Sequence, residues 1–301
     1  MTIVLLWLHL VSGIFVDDLN SVKLAFDDLK SRKGITIRDA KRLCGTITDK
    51  TETLERKDYS EEDLQGLPDS FDARAGFAEC KDVIGHVRDQ SKCNGCWAFS
   101  VLQAFNDRVC IKSNGKHKAL LSPGNMIACC DKAHGCAKSF GCHEGSPKDA
   151  WKWLNTTGVV SGGDYVKEDE TTEADGCWPY NFPKCAHHIV SLKYPACGKE
   201  PLPTPKCDRS CPNKKYPTPS DKDRFYTSEL DPVTFGSVDS IKKEIITNGP
   251  VSAVVVVYED FLAYKSGVYK HTSGARLGPS HSANIARRSS VGVTRTVKIT
   301  G

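Results

Sequence analysis

The apolar positions of this 301-residue chain are unevenly spread, and the densest run sets the frame. Trp97, Ala98, Phe99, Val101, Leu102, Ala104, Phe105 and Val109 follow one another with few polar interruptions. A surface helix carries its apolar residues as one stripe, so this density predicts a helix buried on most of its sides. Weaker periods surround it. Leu19, Val22, Leu24, Phe26 and Leu29 fit a short amphipathic helix over 18–33. Thr36 can cap a second helix carrying residues 38–43, with Gly45 as its stop. Ala150, Trp151, Trp153 and Leu154 form an apolar helical face that Gly158 ends. Residues 238–247 read as a helix closed by Asn248, Gly249 and Pro250. The run 251–258 is apolar and rich in valine, which predicts a strand buried on both faces. Between 177 and 211 the prolines exclude a packed helix or central strand, so a long loop is expected.

Composition narrows the picture. The length allows one two-lobed domain or two small ones. Forty-one basic residues stand against 37 acidic ones, a net +4 without a long single-sign run, which argues against nucleic acid as a partner. Fourteen cysteines point to an oxidising compartment. Residues 3–11 form a short apolar run followed by Val11, Ser12 and Gly13, small enough for signal cleavage, although no Lys or Arg precedes it. A signal peptide over 1–13 is expected, and delivery to the outside or to a lysosome. The run is far short of the about 20 residues of a membrane span. Residues 50–65 are charged and poor in apolar side chains, and read as an exposed linker open to proteolysis. Asn155 heads the sequon Asn155-Thr156-Thr157.

The chemistry gathers at QSKCNGCWAFS, residues 90–100. Cys96 stands at the start of the dense apolar helix, where unpaired backbone N–H groups and the helix dipole favour an anion and so suit a cysteine nucleophile. Gln90 can offer its side-chain amide to the same spot. With the N–H of Cys96 that makes a two-donor oxyanion hole, the equipment of acyl transfer through a thioester. Other readings of the cysteines compete. Cys93 and Cys96 form a C-x-x-C, as in redox pairs, and the cysteines of 129–142 have spacings open to a metal. A disulfide framework is the third reading, and connectivity does not follow from sequence.

The stretch 90–100 resembles the nucleophile signature of the papain-like cysteine proteases, with Asn94 where glycine is usual. KRLCGT (41–46) resembles the propeptide of the cathepsin B branch, and LPDSFDAR (67–74) the start of its mature chain. The resemblance implies an α+β, two-lobed papain-like fold, a helical lobe with Cys96 on its central helix beside a β-rich lobe incomplete here. It implies a propeptide over 14–66 that acts as the chain's own inhibitor. The peptidase domain would run over 67–301, altered from about 279. With Cys44 in the propeptide and Cys96 as nucleophile, twelve cysteines remain. The family then implies the pairs Cys80–Cys110, Cys93–Cys142, Cys129–Cys207, Cys130–Cys136, Cys177–Cys211 and Cys185–Cys197. Cys185, Ala186, His187 and His188 match the Cys-x-His-His of the family's occluding loop. Its histidines hold a substrate's terminal carboxylate, so dipeptides are removed; a protonated imidazole donating to a carboxylate is the physical basis. Trp97 and Gly145 take substrate-binding positions. Cys142-His143-Glu144-Gly145 stands where the family has Cys-Asn-Gly-Gly, and the charge of Glu144 is expected to favour basic residues. Peptides or proteins are the expected substrates, with no metal, no other cofactor and a monomeric state.

The general base breaks the pattern. In the family a histidine follows two glycines, but here Gly278 is followed by Pro279, Ser280 and His281. Ser280 takes the histidine position and His281 comes one residue late, which in an uninterrupted strand turns it to the opposite face. In a second alignment 296–301 form the strand after the histidine, Arg295 takes the base position, and 279–294 are an insertion without clear period. Arginine stays protonated and is no base. The residues given reach Gly301 before a counterpart of the family's triad asparagine, and the run 251–257 is expected to lack covering strands. The alternative to a peptidase is therefore a pseudoprotease that binds peptides or propeptide-type inhibitors without turnover. A structural or redox protein ranks third.

Overall fold

The structure, a computed structural model, describes residues 44–48, 54–186, 192–198, 200, 202–228, 232–263 and 269–277, with the backbone of 284–289. The helices expected over 18–33 and 38–43 and the signal segment lie outside these. In chain order the elements are β1 (Glu55–Arg56), α1 (Ala73–Gly76), α2 (Lys81–Gly85), α3 (Cys96–Lys112), α4 (Pro123–Cys129), α5 (Pro147–Thr156), β2 (Val233–Thr234), α6 (Val238–Asn248), β3 (Val251–Val256) and β4 (Asn284–Ser289). Three helix starts share one device. The side chains of Ser122, Ser146 and Ser237 accept from the third backbone N–H of α4, α5 and α6, and a proline follows the first two.

The helical lobe is built around α3. Trp97, Ala98, Val101, Leu102 and Ala104 are fully enclosed, and α4 supplies Met126 and Ile127 while α5 supplies Trp153 and Leu154. Leu121, Val159 and Val160 close the cluster. The expected helix buried on most sides is thus observed, with α3 packed against both α4 and α5. Six disulfides fasten the lobe: Cys80–Cys110, Cys93–Cys142, Cys129–Cys207, Cys130–Cys136, Cys177–Cys211 and Cys185–Cys197. They are the pairs the resemblance implies. They also remove the metal reading of 129–142 and the redox reading of Cys93, whose sulfurs are spent in bridges.

The second lobe departs from expectation in three places. First, β3 pairs antiparallel with β4 from Val251↔Ser289 to Val256↔Asn284, so a strand lies inside the segment read as an insertion without period. A ladder uses backbone N–H and C=O groups, and 284–289 hold no proline to remove a donor, so no side-chain period is needed. Second, the run 251–258 is not buried on both faces. Val255 and Val257 are buried while Val256 is 40% exposed, an alternation set by the strand period of two. Third, the charged stretch taken as a linker is docked over part of its length, since β1 pairs in parallel with β2. The two lobes meet where Ser100 of α3 and Ser252 of β3 bring their hydroxyls within 3.1 Å.

Candidate active site

Cys96 is the first residue of α3 and its thiol is enclosed, with 4% of the residue exposed. The local sequence explains the position. The N–H groups of Ala98 and Phe99 both reach the carbonyl of Gly95, which starts the helix one residue after a tight approach. A Cβ on Gly95 would stand 2.5 Å from Ile127 Cδ1, so a side chain there would have to displace the end of Ile127 on α4. The Cys93–Cys142 bridge and the bond from Asn94 N–H to the Cys142 carbonyl (2.9 Å) tie this turn to the segment bearing Gly145.

Gln90 is half-buried on an arm that several groups hold. Its carbonyl accepts the Tyr180 hydroxyl (2.8 Å) and the Cys93 N–H (3.3 Å). Two residues earlier, the buried Arg88 guanidinium donates to Asp164 (3.0 Å) and to the carbonyls of Leu121 (2.6 Å), Gly162 (3.2 Å) and Gly163. His86 and Lys184 also approach Asp164, each at 3.3 Å. Burial raises the Asp164 carboxyl, but the His86 hydrogen bond and the charges of Arg88, His86 and Lys184 outweigh it and hold it well below the usual range. Burial pushes the Tyr180 hydroxyl far up, so it stays a donor to Gln90. Ser91 adopts a left-handed φ of 53°, with its N–H on Asp89 Oδ1 at 2.6 Å. Neither the arm's anchors nor this backbone turn had a signal in the linear sequence.

The cleft beside Cys96 is filled by residues 44–48. Gly145 donates its N–H to the Gly45 carbonyl and accepts from the Ile47 N–H, both at 2.9 Å, an extended pairing centred on Thr46. The Thr46 hydroxyl lies 3.3 Å from the Cys96 sulfur, in hydrogen-bond contact. Among the described residues it is the thiol's hydrogen-bonding neighbour. Cys44 is buried on the second lobe against Val257 and Leu277, with Phe261 and Leu262 beside them. Gly145 thus offers its backbone to an extended stretch of this same chain. Trp97 lies wholly beneath it: its indole N–H donates to the Gly141 carbonyl (3.1 Å), and a Cβ on Gly145 would stand 2.4 Å from its ring. Trp97 is fully enclosed and has no exposed surface of its own. Glu144 is half-buried, and its carbonyl takes the Phe140 N–H at 2.8 Å.

Three expected site residues, His187, His188 and His281, lie outside the described residues. The roots of the His187–His188 loop are described: Cys185 and Cys197 are bridged, and Lys92 donates to the Gly198 carbonyl. The isolated antiparallel bridge Tyr258↔Arg276 and the β3–β4 ladder, which begins at Val256↔Asn284, differ in register by six residues. Among the described residues no group of histidine, cysteine and carboxylate side chains is placed to hold a metal, and no helix is long and apolar enough to cross a membrane.

A thiol at the head of a buried helix, facing a backbone strip that binds an extended chain, suits attack on a peptide carbonyl. Residues 67–286 match the model of the papain family cysteine proteases. The chain belongs to the papain family. Among its relatives, cathepsin B-like cysteine proteinase 5 of Caenorhabditis elegans is 42% identical over 220 residues, 73% of this chain and 61% of that one. The cathepsin B-like cysteine proteinase of Schistosoma japonicum is 40% identical over 263 residues, 85% of this chain and 71% of that one. The chain thus spans about six- to seven-tenths of these two relatives. Among solved structures, procathepsin B S9 from Trypanosoma congolense superposes with a TM-score of 0.64 at 30% identity, covering 91% of this chain and 82% of that one. The two-lobed α+β fold expected of the family is the one found.

Proposed function

We propose that this papain-family chain is a cathepsin B-like peptidase made as a zymogen, with Cys96 as nucleophile and residues up to about 66 as its inhibitor. The observation that carries the reading is the Thr46 hydroxyl seated on the Cys96 thiol while Gly145 pairs with the backbone on either side. A segment that fills the cleft as an extended chain excludes a substrate from the same place. After its removal, a substrate pairs with Gly145 and presents its carbonyl to Cys96. The sulfur attacks the carbonyl carbon, and the oxyanion is met by the Cys96 N–H and the Gln90 amide. A base takes the thiol proton and passes it to the leaving amine, and water then releases the acyl group from the thioester. We assign the base to His281 and the grip on a terminal carboxylate to His187 and His188, which makes the enzyme a dipeptidyl carboxypeptidase as well as an endopeptidase. The six disulfides fit an oxidising compartment, and secretion or lysosomal delivery follows from that and from residues 1–13.

The test is turnover by the processed protein on a peptide with a free carboxylate and on its amide, beside Cys96→Ala and His281→Ala. Cleavage abolished by both substitutions, and faster on the free carboxylate, is expected. The alternative, peptide binding without turnover, rests on the proline and register change ahead of β4. It gains if wild-type protein binds a peptide but leaves it intact over hours.

A further inference from the structure

Residues 55–59 occupy a surface of the second lobe that the cleft does not use. β1 adds to the edge of β2 in parallel, and the Lys57 N–H extends the pairing to the Thr234 carbonyl at 2.9 Å. Asp58 accepts the Gly236 N–H at 2.9 Å and holds the Arg56 guanidinium. That guanidinium lies across Gly236, where a Cβ would meet Arg56 Cζ at 1.8 Å. Tyr59 then turns onto α6. Its N–H donates to Ser240 Oγ (3.2 Å), and its hydroxyl donates to Glu244 Oε2 (2.7 Å) with Asn248 Nδ2 at 3.4 Å. Ser240, Glu244 and Asn248 recur every four residues and so form one stripe of the helix. Glu244 is 3% exposed and is fixed from the other side by Arg108 of α3 (2.7 Å), which also donates to the carbonyls of Gly249 and Pro250. Burial and the Glu244 carboxylate push the Tyr59 hydroxyl up to about 12, so it is a donor throughout the neutral range.

We infer that β2, Gly236 and the Ser240–Glu244–Asn248 stripe form an exosite for an extended segment ending in Asp-Tyr, and that residues 55–59 are its occupant, in the intact chain and again in trans after cleavage. Backbone pairing on the strand edge supplies the grip, and the phenol reaching a buried carboxylate supplies the selectivity. The site engages only 233–248, apart from Cys96, Gln90 and Gly145, so it is a second docking point beside the one at Thr46. It rests on the proposed function only in taking cleavage to fall after residue 59, in the exposed turn 60–66.

A fluorescent peptide of residues 54–66 tests it, titrated against processed protein whose Cys96 has been alkylated. Binding with one site is expected, weakened at least tenfold by Tyr59→Phe, which keeps the ring and removes one hydrogen bond to a charged group. Equal binding of the Phe peptide overturns the proposal, as does displacement by a cleft-directed peptide. Where the peptide binds too weakly to titrate, hydrogen exchange on the full chain decides. The amides of 233–240 are expected to exchange several-fold faster in Tyr59→Phe, and unchanged rates overturn the exosite. Because Cys96 is blocked in the first experiment and catalysis is unread in the second, absence of turnover would sink the proposed peptidase while leaving this inference standing.

Discussion

Replacing Gly45 by alanine should uncover Cys96. A Cβ there would stand 2.5 Å from the Asn94 carbonyl oxygen and 2.6 Å from Asn94 Cβ. The oxygen belongs to backbone that the Cys93–Cys142 bridge and the Asn94 to Cys142 hydrogen bond hold, so no rotamer relieves the overlap. The segment 44–48 must lift instead. It then loses two backbone hydrogen bonds to Gly145, worth about 1 kcal/mol each, and the burial of the Cys44 side chain, worth roughly 1 kcal/mol. A cost of roughly 3 kcal/mol shifts the open population by about a hundredfold. The assay is alkylation of Cys96 by iodoacetamide in the intact chain, followed by peptide mass mapping at fixed pH. Faster labelling of Cys96 in Gly45→Ala is expected, by about two orders of magnitude while opening limits the rate. Labelling at the wild-type rate would refute the reasoning, because it would mean that the segment does not govern access to the thiol.

Three further outcomes follow from the same contacts. Asp164→Asn leaves the buried Arg88 without its carboxylate and should cost about 2 kcal/mol, a fall in Tm of several degrees by thermal melting. The Asp164 carboxyl is held below its ordinary value, so its contribution is present above about pH 4 and fades as the pH falls through the depressed folded value; this slope should vanish in the variant. Ser91→Gly relieves a left-handed backbone and should raise stability by up to about 1 kcal/mol in denaturant titration, less the contact of its hydroxyl with the Cys185 sulfur. Thiol titration of the unreduced chain in denaturant should count two reactive sulfurs, mapping to Cys44 and Cys96; a higher count would break the six-bridge framework.

Legibility in the sequence followed the range of each interaction. The helix of Cys96 was readable because its burial is written into eight nearby apolar positions, and the Asn248-Gly249-Pro250 stop acts within a turn; the serine caps at 122, 146 and 237 act as locally but were not read. The anchors of the Gln90 arm were not, since Arg88 meets Asp164 across 76 residues and each looks like an ordinary surface charge in isolation. Tyr59 and Glu244 are 185 residues apart and gave no mark in the charged stretch around them. The strand β4 was missed for another reason. Side-chain period reports which face is buried, whereas pairing is a property of backbone groups that Asn284 and Arg287 supply as well as valine does.

The cleft joins both kinds of information. Thr46 and Gly45 sit in the short motif KRLCGT, and nothing in that motif says that a hydroxyl will reach a sulfur 50 residues on. The sulfur, however, is specified locally, by its place at the head of α3. Gly145 is specified at long range, since the Trp97 ring beneath it, 48 positions earlier in the chain, leaves no room for a side chain. A thiol and a bare strip of backbone fixed in this way accept an extended chain whatever its origin, provided one residue is small enough to pass Asn94. That requirement explains why the chain's own occupant carries glycine at 45. It also predicts that a substrate residue reaching the same place must be glycine, and because the Asn94 carbonyl oxygen would still stand 2.5 Å from a Cβ there, Asn94→Gly should leave the range of peptides that compete with residues 44–48 for Gly145 unchanged. A competition profile that widens across peptides varied at that one position would show that the Asn94 side chain, and not its backbone, sets the limit.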